Sequence, residues 1–251
     1  MNKRIKGEKI DIKYKDTLDF FENHGKEGLK HRYNYVLFQD NSPEIAINRD
    51  AFEKKKICEQ IEFTPGSRVL DIGCGIGRWG ETLLHLGLNY IGVDYSKRLL
   101  EMAEDNLKNF GRSYRLIQSS FQELSVALEA HYTADKFEYI FINGVLMYIN
   151  DKDLRNCLKQ LIPFMAEECT IYIKESIAVE ERLTLNQFFS EDLKTSYTAI
   201  YRDKDSYNRI IEDELVKKSN LKVKIQGDVF DTKLKNRIET KDYYWILSAG
   251  E

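Results

Sequence analysis

Proline is scarce, with three residues in 251, and no Ser/Gly-rich stretch offers a linker, so the chain does not read as a string of modules. Cysteine is scarce too: Cys58, Cys74, Cys157 and Cys169 lie far apart, with no CxxC pair. That argues against a zinc cage or a disulfide framework and predicts a reducing, cytoplasmic setting. Neither sign of charge is in excess, because 38 Lys and Arg stand against 41 Asp and Glu, for a net charge of −3. Nucleic acid and anionic membranes are therefore not expected as partners. No apolar run approaches the roughly 18 residues of a membrane span. The opening MNKRIKGEKI lacks the apolar centre of a signal peptide. No internal repeat is present, and no His/Cys/Asp group has metal-ligand spacing, so no metal is predicted. What the chain does have is aromatic bulk: 13 Phe, 15 Tyr and 2 Trp, enough apolar surface for one sizeable core.

The chain divides near residue 62. Residues 1 to about 41 are polar, aromatic-rich and weakly periodic, and read as a flexible start followed by a cap or lid. Ser42-Pro43-Glu44 supplies an N-cap, a proline at the first helical position and an acid in the first turn, predicting a helix to about Ile61. Thr64-Pro65-Gly66 then breaks the chain. From Arg68 short apolar runs alternate with amphipathic stretches. RVLDIG, NYIGVD, SYRLIQ, FEYIFIN and TIYIKE read as strands. Helices are predicted after the glycines, from Ser96, over Glu123–Ala130, through the Leu154–Ile162 stripe and over Arg209–Lys218. LKVKIQGDVF and DYYWILSAG close the chain with no helical segment between them, so they are expected to pair antiparallel. The predicted fold class is α/β: a doubly wound, mostly parallel sheet over residues 63–251, with an insertion at about 177–208 and a cap over 1–62.

The most informative stretch is Val69-Leu70-Asp71-Ile72-Gly73-Cys74-Gly75-Ile76-Gly77-Arg78. A strand enters a glycine-rich turn that opens a helix, where missing Cβ atoms let a ligand approach the backbone and helix N–H groups can meet an anion. Asp94 ends the next strand, 17 residues beyond Gly77, where a carboxylate can accept from both ribose hydroxyls. Gly75 to Gly80 also fits GxGxxG, so a dinucleotide and an NAD-dependent oxidoreductase are the competing reading. Asp71 weighs against it. A carboxylate at the strand tip repels a pyrophosphate but suits the α-amine of an amino acid, which favours S-adenosylmethionine.

DIGCGIGR followed by VDYS resembles the class I S-adenosylmethionine-dependent methyltransferases. The resemblance covers roughly residues 60–251 in element order and implies a seven-stranded Rossmann-like sheet with an antiparallel last strand. It further implies that Gly73, Gly75 and Gly77 wrap the methionine part, that Asp71 orients its amine, that Asp94 holds the ribose and that Tyr95 flanks the adenine. Arg78 opens the helix and is a candidate partner for the cofactor carboxylate. No acid follows the third strand, so Ser120 and the Phe121 backbone are the candidates for adenine. Tyr33 and Gln39 in the cap are candidates to close over the sulfonium or adenine.

Two strand exits frame the expected acceptor position: Asn143-Gly144-Val145-Leu146-Met147-Tyr148 and Lys174-Glu175-Ser176. Asn143 is placed with the cofactor. Glu175 is a candidate base, Tyr148 a candidate to orient the acceptor and Lys174 a candidate source of positive charge. His24 and His31 in the cap, and Tyr201 and Arg202 in the insertion, are candidate acceptor contacts. FQDNSPE followed by RD is similar to methyltransferases of bacterial surface-polysaccharide pathways. It implies O-methylation of a phosphate, phosphoramidate or sugar-linked acceptor in capsule biosynthesis. IYIKESIAVEER and Arg78 also resemble protein α-N-terminal methyltransferases, which keeps N-methylation open. A non-catalytic cofactor-binding partner is the remaining alternative. A small-molecule substrate is expected, with a homodimer or a partner methyltransferase as the protein association.

Overall fold

The apolar strands lack polar alternation because helices cover both faces of the sheet they form. A computed structural model describes residues 3–26, 28–111, 114–131, 136–231, 234 and 237–249. Ser113 and Gly250, which sequence placed at a strand start and a strand end, lie outside the described residues. Five strands run parallel: β2 (Arg68–Ile72), β3 (Asn89–Asp94), β4 (Tyr114–Gln118), β5 (Phe137–Asn143) and β6 (Met165–Ala178). β9 (Leu221–Asp228) and β10 (Thr240–Ala249) follow, and β10 pairs antiparallel with both β6 and β9. The strand order β4-β3-β2-β5-β6-β10-β9 is a doubly wound seven-stranded sheet, as the sequence predicted. Order reverses between β2 and β5, the point beyond which ligands bind in such sheets.

Helices α3 (Pro43–Cys58), α4 (Arg78–His85) and α5 (Lys97–Leu107) and the turns around them build one apolar layer, with Ile57, Trp79, Leu83 and Leu84 buried against Val69, Phe141 and Tyr172. Helices α6 (Leu124–His131), α7 (Asp151–Lys159) and α8 (Lys204–Glu214) build the opposite one around Leu70, Ile140, Ile171 and Trp245. Ser42 stands at the N-cap of α3, but its hydroxyl makes no capping bond there. Ser96 and Asp203 do cap α5 and α8, accepting from Leu99 N and Ser206 N. The Asp203 cap starts α8 five residues before the predicted Arg209. The amphipathic pattern alone did not reveal that start.

The N-terminal segment supplies a strand, β1 (Lys3–Lys6), and two helices, α1 (Tyr14–Asn23) and α2 (Asn34–Leu37). Within the 177–208 stretch lies a hairpin of β7 (Leu183–Ser190) and β8 (Thr195–Tyr201). β1 pairs antiparallel with β7, so residues expected to be a flexible start form one three-stranded sheet with the insertion. A four-residue polar strand is legible only from its partner, because main-chain pairing rather than side-chain pattern holds it. Phe20, Met147, Tyr197 and Tyr201 bury the junction between this sheet, α1 and the main sheet.

Candidate active site

A cavity of about 480 Å³ opens beyond the ends of β2, β3, β5 and β6, roofed by α1, α2 and the β7–β8 sheet. Of the residues that the sequence reading assigned to the cofactor, Asp71, Gly73, Gly75, Arg78, Asp94, Tyr95, Ser120, Phe121, Asn143 and Gln39 all line it. The glycine turn is left-handed, with φ of +70° at Gly73 and +55° at Gly75. A Cβ at Gly73 would lie 2.2 Å from Val145 Cγ2, and one at Gly75 would lie 2.9 Å from Val36 Cγ1. Only glycine fits there, because neighbouring loops close onto the backbone itself. Gly77 differs. It does not line the cavity, and a Cβ there would press on Leu107 and Ala103 of α5. Where the resemblance set it against the methionine part, the structure shows it packed on α5.

Asp94 Oδ2 accepts from Gly75 N–H and Oδ1 from Ser96 N–H, both at 2.9 Å. A carboxylate offers about four lone-pair positions, so acceptor capacity remains for a diol. Burial pushes its pKa up to about 6. Asp71 accepts from the Tyr90 hydroxyl at 2.7 Å, and burial raises its pKa to about 7. Such a carboxyl is poised to ionise fully when a cationic group approaches. The Tyr95 hydroxyl is buried with no hydrogen-bond partner among the described residues. Ser120 caps a 3-10 turn at Phe121–Glu123, accepting from Glu123 N at 3.3 Å. The close-approach glycines, the spare acceptors of Asp94 and the orphaned Tyr95 hydroxyl fit an aminoacyl nucleoside.

Arg78 is neither solvated nor free. Its Nη1 donates to Asp50 at 2.7 Å and its Nη2 to Glu53 at 3.1 and 3.2 Å. Glu53 also accepts from Trp79 Nε1 at 3.2 Å, from the Tyr172 hydroxyl at 3.0 Å and from Asn143. Burial alone would raise the Glu53 carboxyl, but the charges of Arg78 and then Lys174 overcome it and hold the pKa at about 2. Sequence reading missed Glu53 and Asp50. Their spacing of three on α3 placed them on one helix face, but nothing local marked that face as buried.

Several acceptor-side candidates need correction. Glu175 does not line the cavity. It is fully buried, and its carboxylate accepts the N–H groups of Val145 at 2.8 Å, Leu146 at 2.7 Å and Met147 at 3.1 Å. Burial raises its pKa to about 7. Those three donors make it the anchor of the Val145–Tyr148 turn rather than a base. Arg202 grips the same turn from the other side, donating to Leu146 O at 2.9 Å and Ile149 O at 2.5 Å and pairing with Asp151. It too is absent from the cavity lining, because its charge is spent on the turn. His24 stacks on Phe20 with Nε2 3.4 Å from Asp40, and His31 accepts from Tyr33 N at 3.2 Å. Neither histidine lines the cavity, nor does Tyr33, whose ring lies under Arg32 and Lys54.

Tyr148, Lys174 and Tyr201 do line it. The Tyr148 hydroxyl pairs with that of Tyr197, and burial pushes both phenols upward, so both stay protonated. The Tyr201 hydroxyl accepts from Arg237 at 3.1 Å. Arg237, Arg49 and Asp242 were not candidates from sequence, and Ser176 was named only as part of a strand exit, yet all four border the cavity. They come from three separated parts of the chain. Among the described residues no His/Cys/Asp/Glu group could hold a metal, and no helix is long and apolar enough to cross a membrane.

The turn, the carboxylate at the next strand tip and the sheet ended by an antiparallel strand define a Rossmann-like methyltransferase fold. Residues 69–167 match the family model described as a methyltransferase domain. The chain is 29% identical over 100 residues to methyltransferase GfsG of Streptomyces halstedii, covering 39% of this chain and 34% of that one. It thus spans about a third of that curated relative. Two solved structures share the fold over most of the chain. One is an S-adenosylmethionine-dependent methyltransferase of Leishmania major, with a TM-score of 0.65, 17% identity and coverage of 93% and 82%. The other is phosphoethanolamine N-methyltransferase 1 of Haemonchus contortus, with phosphoethanolamine and S-adenosylhomocysteine bound. It gives a TM-score of 0.67, 15% identity and coverage of 94% and 48%. Residues 69–167 therefore match a methyltransferase domain, and the chain as a whole shares the fold of these enzymes.

Proposed function

We propose that the whole protein transfers a methyl group from S-adenosylmethionine to a small polar acceptor. The observation that carries this reading is a single cavity with two unlike walls. One wall is the Gly73–Gly75 turn with Asp71 and Asp94. The other is the hydroxyl-rich surface of Tyr148, Tyr197 and Tyr201. The bound cofactor supplies an electrophilic methyl on a sulfonium. Asp71 accepts from its amine, Asp94 from its ribose, and Ser120 and Phe121 border its adenine. Arg78, already seated on Asp50 and Glu53, presents its remaining donor edge to the carboxylate. Phe38 and Gln39 cover the site, and Tyr148 orients the acceptor. Transfer is an in-line displacement in which alignment matters most.

With Glu175 engaged by three backbone N–H groups, no unpaired carboxylate among the described residues of the acceptor wall serves as a base. That supports an acceptor atom needing no deprotonation, such as an already anionic phosphate-type oxygen. At the finest level the proposal is O-methylation of a phosphate, phosphoramidate or sugar-linked group in capsular polysaccharide biosynthesis. The resemblance around FQDNSPE supports that pathway, and the missing base favours the first two groups. A neutral amine also needs no base, so N-methylation is the second reading, and the phosphoethanolamine bound by the Haemonchus contortus enzyme supports it. In either reading residues 1–62 and 177–208 act as the cap. The test is incubation of purified protein with methyl-labelled cofactor and a metabolite extract. Label in a small acceptor is expected. Label confined to protein, or no transfer at all, overturns the proposal.

A further inference from the structure

The cavity does not end at the cofactor wall. Beyond Asn143 it reaches four side chains on three elements: Arg49 on α3, Lys174 and Ser176 on β6, and Asp242 on β10. Asp242 is the hub. It accepts from the Ser176 hydroxyl at 2.7 Å, pairs with Arg49 and lies 3.3 Å from the Lys174 ammonium. Arg49 also donates to Leu234 O at 2.8 Å and lies 4.1 Å over the Phe230 ring. Lys174 and Arg49 are 6% and 7% exposed, so these charges are held away from bulk water. Two buried cations thus gather around one carboxylate at this end of the cavity. The adjacent Arg78, Lys54, Asp50 and Glu53 pair among themselves. Buried cations that face a cavity are stabilised by an anion that enters it.

Position separates this cluster from the cofactor wall. In the order β2-β5-β6-β10, β6 and β10 stand two and three strand positions from β2, which carries Asp71. At about 4.8 Å per strand that is roughly 10 and 14 Å. The geometry points to an anion subsite: Lys174 and Arg49, gathered around Asp242, receive a phosphate-type group of the acceptor, not the cofactor. This assignment rests on the methyltransferase reading and narrows the acceptor to an anion. Asp242 competes with that anion for the two cations, and Lys174, whose sole ion-pair partner among the described residues is Asp242, makes the contact.

The probe is inorganic phosphate, titrated calorimetrically into full-length protein saturated with S-adenosylhomocysteine. Binding in the millimolar range or tighter is expected. Lys174→Met should weaken phosphate at least tenfold while S-adenosylhomocysteine affinity stays within twofold. Asp242→Asn removes the competing carboxylate and should tighten phosphate by threefold or more, a change that lost packing would not produce. The assignment is overturned if wild-type protein binds no phosphate at millimolar concentration. It is equally overturned if Lys174→Met weakens S-adenosylhomocysteine as much as phosphate, which would give the cation to the cofactor. If Lys174→Met does not fold, Asp242→Asn decides alone, and unchanged or weaker phosphate binding refutes the subsite. Absence of heat from S-adenosylhomocysteine in wild-type protein is a separate result that counts against the methyltransferase reading.

Discussion

The two walls of the cavity were built in different ways. The cofactor wall comes largely from two short stretches, 71–78 and 94–95, each a strand tip and the turn after it. The acceptor wall gathers Phe38, Arg49, Tyr148, Lys174, Tyr197, Tyr201, Arg237 and Asp242 from six separated segments. On the first wall, charges face the cavity with acceptor capacity in reserve. On the second, the conspicuous charges Glu175 and Arg202 turn inward and hold the chain in place. A carboxylate beside a substrate cavity is therefore not evidence of a base until its hydrogen-bond partners are counted.

The sharpest way to break this contrast is at Gly73. Gly73→Val places a branched side chain on a left-handed residue already 2.2 Å, at its would-be Cβ, from Val145. We expect S-adenosylhomocysteine affinity to fall more than 100-fold, with about 3 kcal/mol or more lost from stability in urea melts. Wild-type-like binding would mean that the turn does not embrace the ligand.

Asp71, which lines the cavity, and Glu175, which does not, share one pH response. Burial raises both carboxyls to about 7, above their unfolded values. The folded state then binds more protons between about pH 4 and 7, so each group lowers stability as pH rises through that window, and the loss is complete above it. In ligand-free protein, Asp71→Asn should therefore gain stability relative to wild type at pH 8 compared with pH 4, by an amount on the order of 4 kcal/mol. Its affinity for S-adenosylhomocysteine should drop, and the rise in wild-type affinity from pH 6 to 8 should flatten. A steep pH dependence surviving in Asp71→Asn would move the titrating group elsewhere, with Asp94, at about 6, the next candidate.

Glu175→Ala strands three buried N–H donors, so a stability loss of roughly 3 kcal/mol is expected. Hydrogen exchange at the amides of residues 145–147 should accelerate more than at those of β2. Equal acceleration everywhere would show that Glu175 supports the whole fold rather than one turn. The smallest effect is expected at His31, which does not line the cavity described. His31→Ala should leave S-adenosylhomocysteine binding within twofold, and a larger change would return the cap histidine to the site.

Much of the sheet was legible because each parallel strand is an apolar run ended by a turn residue. The cofactor wall was legible because a strand, a turn and a helix start are contiguous in sequence. β1 escaped because a short polar strand is stabilised by a partner some 180 residues away. Glu53, Asp50, Arg49 and Asp242 escaped because a surface acid and a buried ion pair look alike in one dimension.

The sequence by itself determined the order of strands and helices in the seven-stranded sheet and its covering layers, the glycine turn and the carboxylate at the following strand tip. Local backbone conformation and neighbouring side chains suffice for those features. Only the tertiary structure decided which charges face the cavity and which are consumed in holding loops. Burial and pairing depend on elements brought together across the whole chain, and a charge changes its role with the partners that folding provides.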